Sequence, residues 1–324
     1  MDVLSSTFQL FIFPGFLFFI LLSFLFEWMD RKLYAGMQRR IGPLYTGPLG
    51  LLQPIADFIK LMKKEDLTPK YSDKKIFNSV PLLMCALMLT VMLILPVAGE
   101  SGVVSFTGDV IFAIAAMTLF CILIFLAGFS SMSPYPLLGA ERAVLLLLGF
   151  EIPLMLSIAG CCIASGSIEI SAIVSWQASH GWNILGPQLL GFAIFLVAIQ
   201  AELERIPFDI PDAEQEIVAG WMTEYSGRKL ALIRMARNLE LVFMSALAAT
   251  LYLGGPLGLP PQWAEGIAFP VYFLLKTVAI LLILTIIRGI FARVRIDQMV
   301  AFAWRYLIPL SFLQVALTLI WRLI

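Results

Sequence analysis

The chain has 324 residues, of which 60% are hydrophobic and only 14% charged, and its mean hydropathy is +0.92. A soluble globular domain carries roughly 25% charged residues, so this composition excludes that class and indicates a membrane protein. Lys+Arg and Asp+Glu balance at 22 each, so the distribution of charge carries the information rather than its sum.

The first apolar run, about 8–28, is long enough to cross a hydrocarbon core of roughly 30 Å. It has no basic stretch before it and no small-residue cleavage site after it, so it reads as a retained span, not a signal peptide. Seven more runs follow at about 77–98, 110–131, 143–165, 187–205, 239–258, 268–290 and 302–322. Backbone groups in lipid must bond internally, and barrel strands would be shorter and alternating. The expectation is an all-α integral membrane protein with eight transmembrane helices, a single membrane domain over 1–324. No internal repeat of the kind that marks inverted-repeat transporters is present, which counts against a stand-alone ion transporter.

Orientation follows from the basic residues. Of the 22 Lys and Arg, 20 fall at the connections between spans one and two, three and four, five and six, and seven and eight; the exceptions are Lys276 and Arg322. The positive-inside rule places those connections in the cytoplasm and both termini outside a multi-pass plasma-membrane protein. In the first connection, "GPLGLLQPIADFIKLMKKED" sets Leu51, Leu52, Ile55, Phe58, Ile59 and Met62 at helical spacing. This predicts an amphipathic helix, equally suited to anionic lipid or to docking on a partner.

Ionisable residues inside apolar runs cost at least about 2.5–3.5 kcal/mol each at a helix centre, so each calls for a function or a partner. Span four opens with Glu141 and Arg142 and carries Glu151 beside Pro153, whose missing N–H bends the helix next to the carboxylate. With no fixed cation, Glu151 suits proton uptake and release. Span five ends in Glu202 and Arg205, three apart and expected to pair. Then "IPFDIPDAEQEIVAG" predicts two proline turns and a helix capped by Asp212, with Glu214 and Glu216 in its first turn. Two readings stay open for this stretch: a well-capped surface or re-entrant helix, or a row of carboxylates (Asp209, Asp212, Glu214, Glu216, Glu224) lining a cavity toward Glu151. Lys276, deep in span seven, is expected to pair with an intramembrane Glu. The basic cluster "RGIFARVRIDQ" after it reads as a membrane-surface anchor.

Cys85, Cys121, Cys161 and Cys162 lie in apolar runs without C-x-x-C spacing, and His180 is the lone His, in a polar connection. No zinc or iron–sulfur ligand set, nucleotide fingerprint or Ser/His/Asp set is present, so the sequence gives no means of redox chemistry by this chain alone.

Four blocks carry a resemblance: "DRKLYAGMQRRIGPLYTGPLGLLQPIADFIKLMKKED", "LGAERAVLLLLGFEIP", "AELERIPFDIPDAEQEIVAGWMTEYSGRKLAL" and "RVRIDQMVAFAWRYLIPL". In their order the chain resembles the H-subunit family of respiratory complex I and its relatives in membrane-bound energy-converting hydrogenases and archaeal ferredoxin-dependent complexes. The resemblance implies a cavity beneath a peripheral arm, lined by Arg39, Arg40, Glu202, Arg205, Pro207, Phe208, Asp209 and Asp212. It implies an acidic path into the membrane through Glu141, Glu151, Glu214, Glu216 and Glu224, to which Glu202 and Lys276 are added from their position. The segment "SSMSPYPLLGAERA" and Ala292 depart from the quinone-type pattern and look more like the hydrogenase branch. The expectation is therefore a non-catalytic anchor and ion-coupling subunit of a ferredoxin-linked complex, with the quinone-site subunit of an NADH/quinone oxidoreductase as the alternative. Iron–sulfur clusters, and in the hydrogenase case a nickel–iron centre, would reside in partners: a catalytic large subunit and an iron–sulfur small subunit of the arm, beside antiporter-like and small membrane subunits and lipid.

Overall fold

Pro14 and Gly15 decide how the chain begins. Pro14 has no N–H to donate, and a Cβ at Gly15 would lie 1.8 Å from the Leu10 carbonyl oxygen, so the helix breaks there into α1 (Val3–Phe11) and α2 (Phe16–Met37). The computed structural model describes residues 3–186, 188–257 and 265–323, excepting the side chains of residues 3–6, 214–215 and 265–267. Within them the chain is helical, and no strand occurs among the described residues.

The amphipathic segment forms α3 (Gln53–Lys63), which lies against the bundle. Phe58 packs 5.7 Å from the Phe24 ring, Asp57 accepts from Arg31 at 2.7 Å, and Ile59 stays exposed. Asp73 caps α4 (Lys74–Met92) by accepting from the backbone N–H of Lys75 and Ile76. Next come α5 (Asp109–Ser130), α6 (Pro134–Ser165), α7 (Ile170–His180), α8 (Leu189–Glu202), α9 (Glu214–Ile217), α10 (Gly227–Leu253) and α11 (Glu265–Ile290). α12 (Ile296–Phe302) runs through a π-helical turn, Ala303–Leu307, into α13 (Ile308–Leu323). Pro309 cannot donate to the Arg305 carbonyl, which accounts for the widened turn.

Among the described residues, six helices are long and apolar enough to cross a membrane: Thr7–Met37, Lys74–Met92, Asp109–Ser130, Pro134–Ser165, Ala268–Ile290 and Ile296–Leu323. The remaining two of the eight expected runs differ. The run at 187–205 contains α8, whose 14 residues reach about 21 Å at about 1.5 Å per residue, short of a roughly 30 Å core. The run at 239–258 is the second half of α10, whose first half carries Arg228, Lys229, Arg234 and Arg237. Positions 187 and 258 lie outside the described residues.

α10 is the centre of the bundle. Every residue from Leu239 to Tyr252 is buried, which explains why that stretch shows no amphipathic stripe. Its C-terminal carbonyls are gripped from three directions. Lys276 Nζ donates to the carbonyls of Leu253, Gly255 and Leu257 at 2.6, 2.8 and 2.6 Å, Gln177 donates to Thr250 and Leu251, and Asn183 donates to Leu251 at 2.7 Å. This corrects the expected Lys276–Glu pairing: the orphan carbonyls and negative end of a helix supply the partner. A second buried polar knot joins α6, α8 and α13, where Gln188 donates to the Gly160 carbonyl and to Thr318, and accepts from Gln314.

The 203–226 segment is set on α6 by close backbone contact. A Cβ at Gly139 would sit 2.6 Å from the Trp221 nitrogen and 2.9 Å from the Gly220 carbonyl carbon, and Trp221 is fully buried. Gly139→Ala is therefore expected to displace the Gly220–Met222 turn and destabilise the protein by about 1–3 kcal/mol. Gly36→Ala, which meets nothing within 4 Å, serves as the control. Thermal unfolding of the two purified variants checks this, and equal midpoints would refute it.

Candidate functional site at the polar end of the bundle

Asp30 organises this end. It lies in α2, 4% exposed, and accepts from Arg205 through both oxygens (3.1 and 2.9 Å), from Arg288 at 2.7 Å and from Thr285 at 2.8 Å. The two-pronged Arg205 contact is the geometry that suits a guanidinium to a carboxylate. One side chain thus joins α2, the segment after α8, and α11. Arg205 is accordingly not the partner of Glu202, as expected from their spacing, because the chain leaves helical geometry at Glu204 (φ +48). Arg288 also lies over the Tyr34 ring, 4.3 Å from its centroid.

A second cluster stands beside it. Glu204, 6% exposed, accepts from Arg237 and from Trp221 Nε1, and Arg237 also donates to Asp212 at 3.2 Å. Asp212 is therefore not the expected helix cap: α9 starts at Glu214 with Ala213 before it and lasts a single turn. Further out, Arg293 pairs with Asp209 at 2.7 Å, and Arg142 pairs with Glu216 at 2.6 Å rather than with its neighbour Glu141, which is exposed.

These pairs border two cavities. The larger, about 660 Å³, is lined by Tyr34, Leu203, Ile206, Asn238 and Leu241 together with five arginines (Arg40, Arg205, Arg237, Arg288, Arg293) and three carboxylates (Glu204, Asp209, Asp212). The other, about 380 Å³, shares Asp209 and Arg293 with it and adds Arg142, Glu216, Arg295 and Asp297. Of the expected lining residues, Arg40, Arg205, Asp209 and Asp212 face the larger cavity. Arg39 is exposed outside it, and Pro207 and Phe208 are buried behind it, with Phe208 4.7 Å from the Phe150 ring. Burial raises the Asp209 carboxyl above its ordinary value, against the opposing pull of Arg293.

The carboxylates expected to form one row divide into groups. Glu216 lines the smaller cavity, Glu224 lines neither, and the side chain of Glu214 lies outside the described residues. Deeper in, Glu202, Glu204 and Glu240 converge on a cavity of about 10 Å³, and Glu202 is close enough to Glu151 for their charges to interact. Glu151 accepts from Thr118, and no ion pair to it occurs among the described residues. The four cysteines are free, and no group of three or more His, Cys, Asp or Glu could hold a metal among the described residues.

A family profile described as NADH dehydrogenase matches residues 10–319, and the matched span contains every residue of both clusters. The chain belongs to the NADH dehydrogenase family, as a relative of the H subunit of complex I. It is 40% identical over 302 residues to the H subunit of the NADH-quinone oxidoreductase of Dehalococcoides mccartyi, covering 93% of this chain and 83% of that one. It is 37% identical over 291 residues to the protein of the same name from Methylococcus capsulatus, covering 90% of each. Against the one from Brevibacillus brevis it is 36% identical over 291 residues, 90% of this chain and 86% of that one. As a member of the NADH dehydrogenase family with these apolar helices, the chain is a multi-pass membrane protein of an oxidoreductase complex.

Sequence reasoning missed Asp30 and Glu240 in this family member, and saw Glu204, Arg237, Arg288 and Arg293 only as charges at span ends. Asp30 lies beyond the apolar run 8–28, yet α2 continues for two more turns to Met37. The available signal was the i, i+3, i+4 spacing of Glu27, Asp30 and Arg31 on one continuing helix.

Asp30→Ala leaves two partly buried arginines without their carboxylate and is expected to cost about 1–3 kcal/mol, read as a fall in the thermal-unfolding midpoint. A midpoint unchanged from wild type would show that the node is not structural. For Asp209 the folded group holds its proton more tightly than the unfolded one. Its stabilising contribution is thus complete below the ordinary carboxylate value of about 4 and is lost as pH rises through the folded value. Asp209→Asn should flatten the pH dependence of the midpoint across that window, and an unaltered profile would contradict this.

Proposed function

We propose that the chain is the membrane anchor and ion-coupling subunit of a complex I-type oxidoreductase, and that its larger cavity is the inner end of a quinone site. The observation that carries this is the 660 Å³ chamber, held open by the Asp30 and Glu204 ion-pair clusters at the bundle end where the basic connections meet. Its size falls in the range of about 300–1,000 Å³ of small-molecule sites, and its arginines can donate to quinone oxygens as these gain negative charge. The relatives' activity, NADH-quinone oxidoreductase, supports the quinone reading over the ferredoxin-linked one put first from sequence. The ferredoxin-linked reading rests on the segment around Pro134 and on Ala292.

Eight membrane crossings follow in this reading, with α8 and the buried half of α10 as the two that partners and neighbouring helices complete. Both termini lie outside and the basic connections lie in the cytoplasm, under an arm composed of a catalytic large subunit and an iron–sulfur small subunit. Antiporter-like and small membrane subunits continue the complex in the bilayer. Redox centres belong to the partners. This chain's part is to change the charge environment of Glu202, Glu204 and Glu151 when the cavity's occupant is reduced, and so to drive protons or sodium onward.

Three measurements test the proposal on the purified complex. Arg40→Ala should raise the KM for a short-chain quinone by about tenfold, the loss of one charge-assisted hydrogen bond. Hydrogen evolution from reduced ferredoxin, with no quinone reduction, would overturn the quinone assignment. Glu151→Gln should keep electron transfer in detergent and abolish ion pumping in liposomes; full pumping would remove Glu151 from the path.

A further inference from the structure

Glu240 is a buried acid that none of the ion pairs accounts for. It is 1% exposed, it sits on α10 three residues after Arg237, and its Oε2 has no hydrogen-bond partner among the described residues. It faces the cavity of about 10 Å³ together with Glu202 and Glu204, and the remaining walls are apolar side chains and Cys121. A cavity of roughly 10–15 Å³ holds one water when two to four polar groups converge on it, and three carboxyl groups do so here. Glu204 lines this cavity and the 660 Å³ chamber alike, so a single side chain forms the wall between them. The cations nearest in charge terms, Arg237 and Arg205, are committed elsewhere: Arg237 to Glu204 and Asp212, and Arg205 to Asp30.

On the coupling role proposed above, we infer that Glu240 is a proton-carrying group, linked to Glu204 and Glu202 through one water in this cavity. Glu204 receives a proton from the chamber. Its O–H bond breaks as the water oxygen takes that proton, and the water passes another of its own protons to the Glu240 carboxylate. One proton has moved, no electron has, and the water is regenerated. The same exchange from Glu240 to Glu202 brings the charge to the neighbour of Glu151. An ionised Glu240 without a partner is costly in an apolar interior, so the group rests as the neutral acid; the transfer to a Glu202 carboxylate therefore comes first, and the Glu240 carboxylate it leaves is the one that takes the proton from Glu204.

The test uses the intact complex reconstituted in liposomes. Glu240→Gln keeps size and hydrogen bonding but carries no proton, and pumping per electron pair should be lost. Ala143→Leu fills the cavity from its wall and leaves all three carboxyl groups in place; it should lose pumping in the same way. Redox-induced infrared difference spectra of the wild type should show a protonated carboxyl band that shifts in heavy water and is missing in Glu240→Gln. If Glu151→Gln uncouples while an assembled Glu240→Gln pumps at the wild-type ratio, the coupling role stands and the Glu240 inference falls. If neither uncouples, both fall. Should Glu240→Gln not assemble, Ala143→Leu decides: wild-type pumping in that variant overturns the water-linked step.

Discussion

A carboxylate buried where a helix leaves the hydrocarbon has to be neutralised, and Asp30 is neutralised by two arginines at once. That requirement fixes the geometry of the polar end. Arg205 reaches Asp30 only because the chain turns out of helix at Glu204, and Arg288 reaches it only because α11 continues to Ile290. The turn at Glu204 in turn brings that carboxylate under Arg237. The chamber between the two clusters is therefore a by-product of charge pairing, since guanidinium groups pulled onto opposite partners leave space between them. Its walls are polar because the same groups that hold it open also line it.

Much of this could be read from the sequence, and the rest failed for identifiable reasons. Apolar length picked out the helices that are long and apolar enough to cross a membrane, such as α5 and α6. α8 and α10 fall outside the six long apolar helices, because a helix wrapped by protein is excused from the lipid rule and can be short or carry charge. The amphipathic α3 was legible because its stripe is local. Partners were not: Glu202 with Arg205, and Lys276 with a glutamate, were assigned from sequence spacing and sign. The structure pairs residues far apart in the chain and gives Lys276 to backbone carbonyls, a ligand that no side-chain pattern announces. Asp30 and Glu240 escaped because each stands at the edge of an apolar run, where a single acid looks like the end of a span.

The two ends of α10 are held by different chemistry. Toward one end, ion pairs from Glu204 and Asp212 converge on Arg237 beside the chamber. At the other, neutral amides and one lysine bind carbonyls that have no charge to lose. The buried middle, unbroken from Leu239 to Tyr252, joins the two as a stiff rod. The chamber thus borders an element anchored at the far side, and Glu240, three residues after Arg237, is the acid that element carries.

The burial of α10 also bears on how such a chain is made. A segment entering a bilayer from the ribosome is accepted largely on its own apolarity, and an arginine or acid near its middle counts heavily against it. α8 is too short, and the first half of α10 too charged, to be stable against lipid alone. Both become stable only when their neighbours surround them, α2, α4 and α11 around α10 and α6 and α13 around α8, so their insertion belongs to the folding of the whole bundle. The late-settling segments are the ones that carry Glu202, Arg237 and Glu240, which makes these ionisable groups the last to be sealed from water.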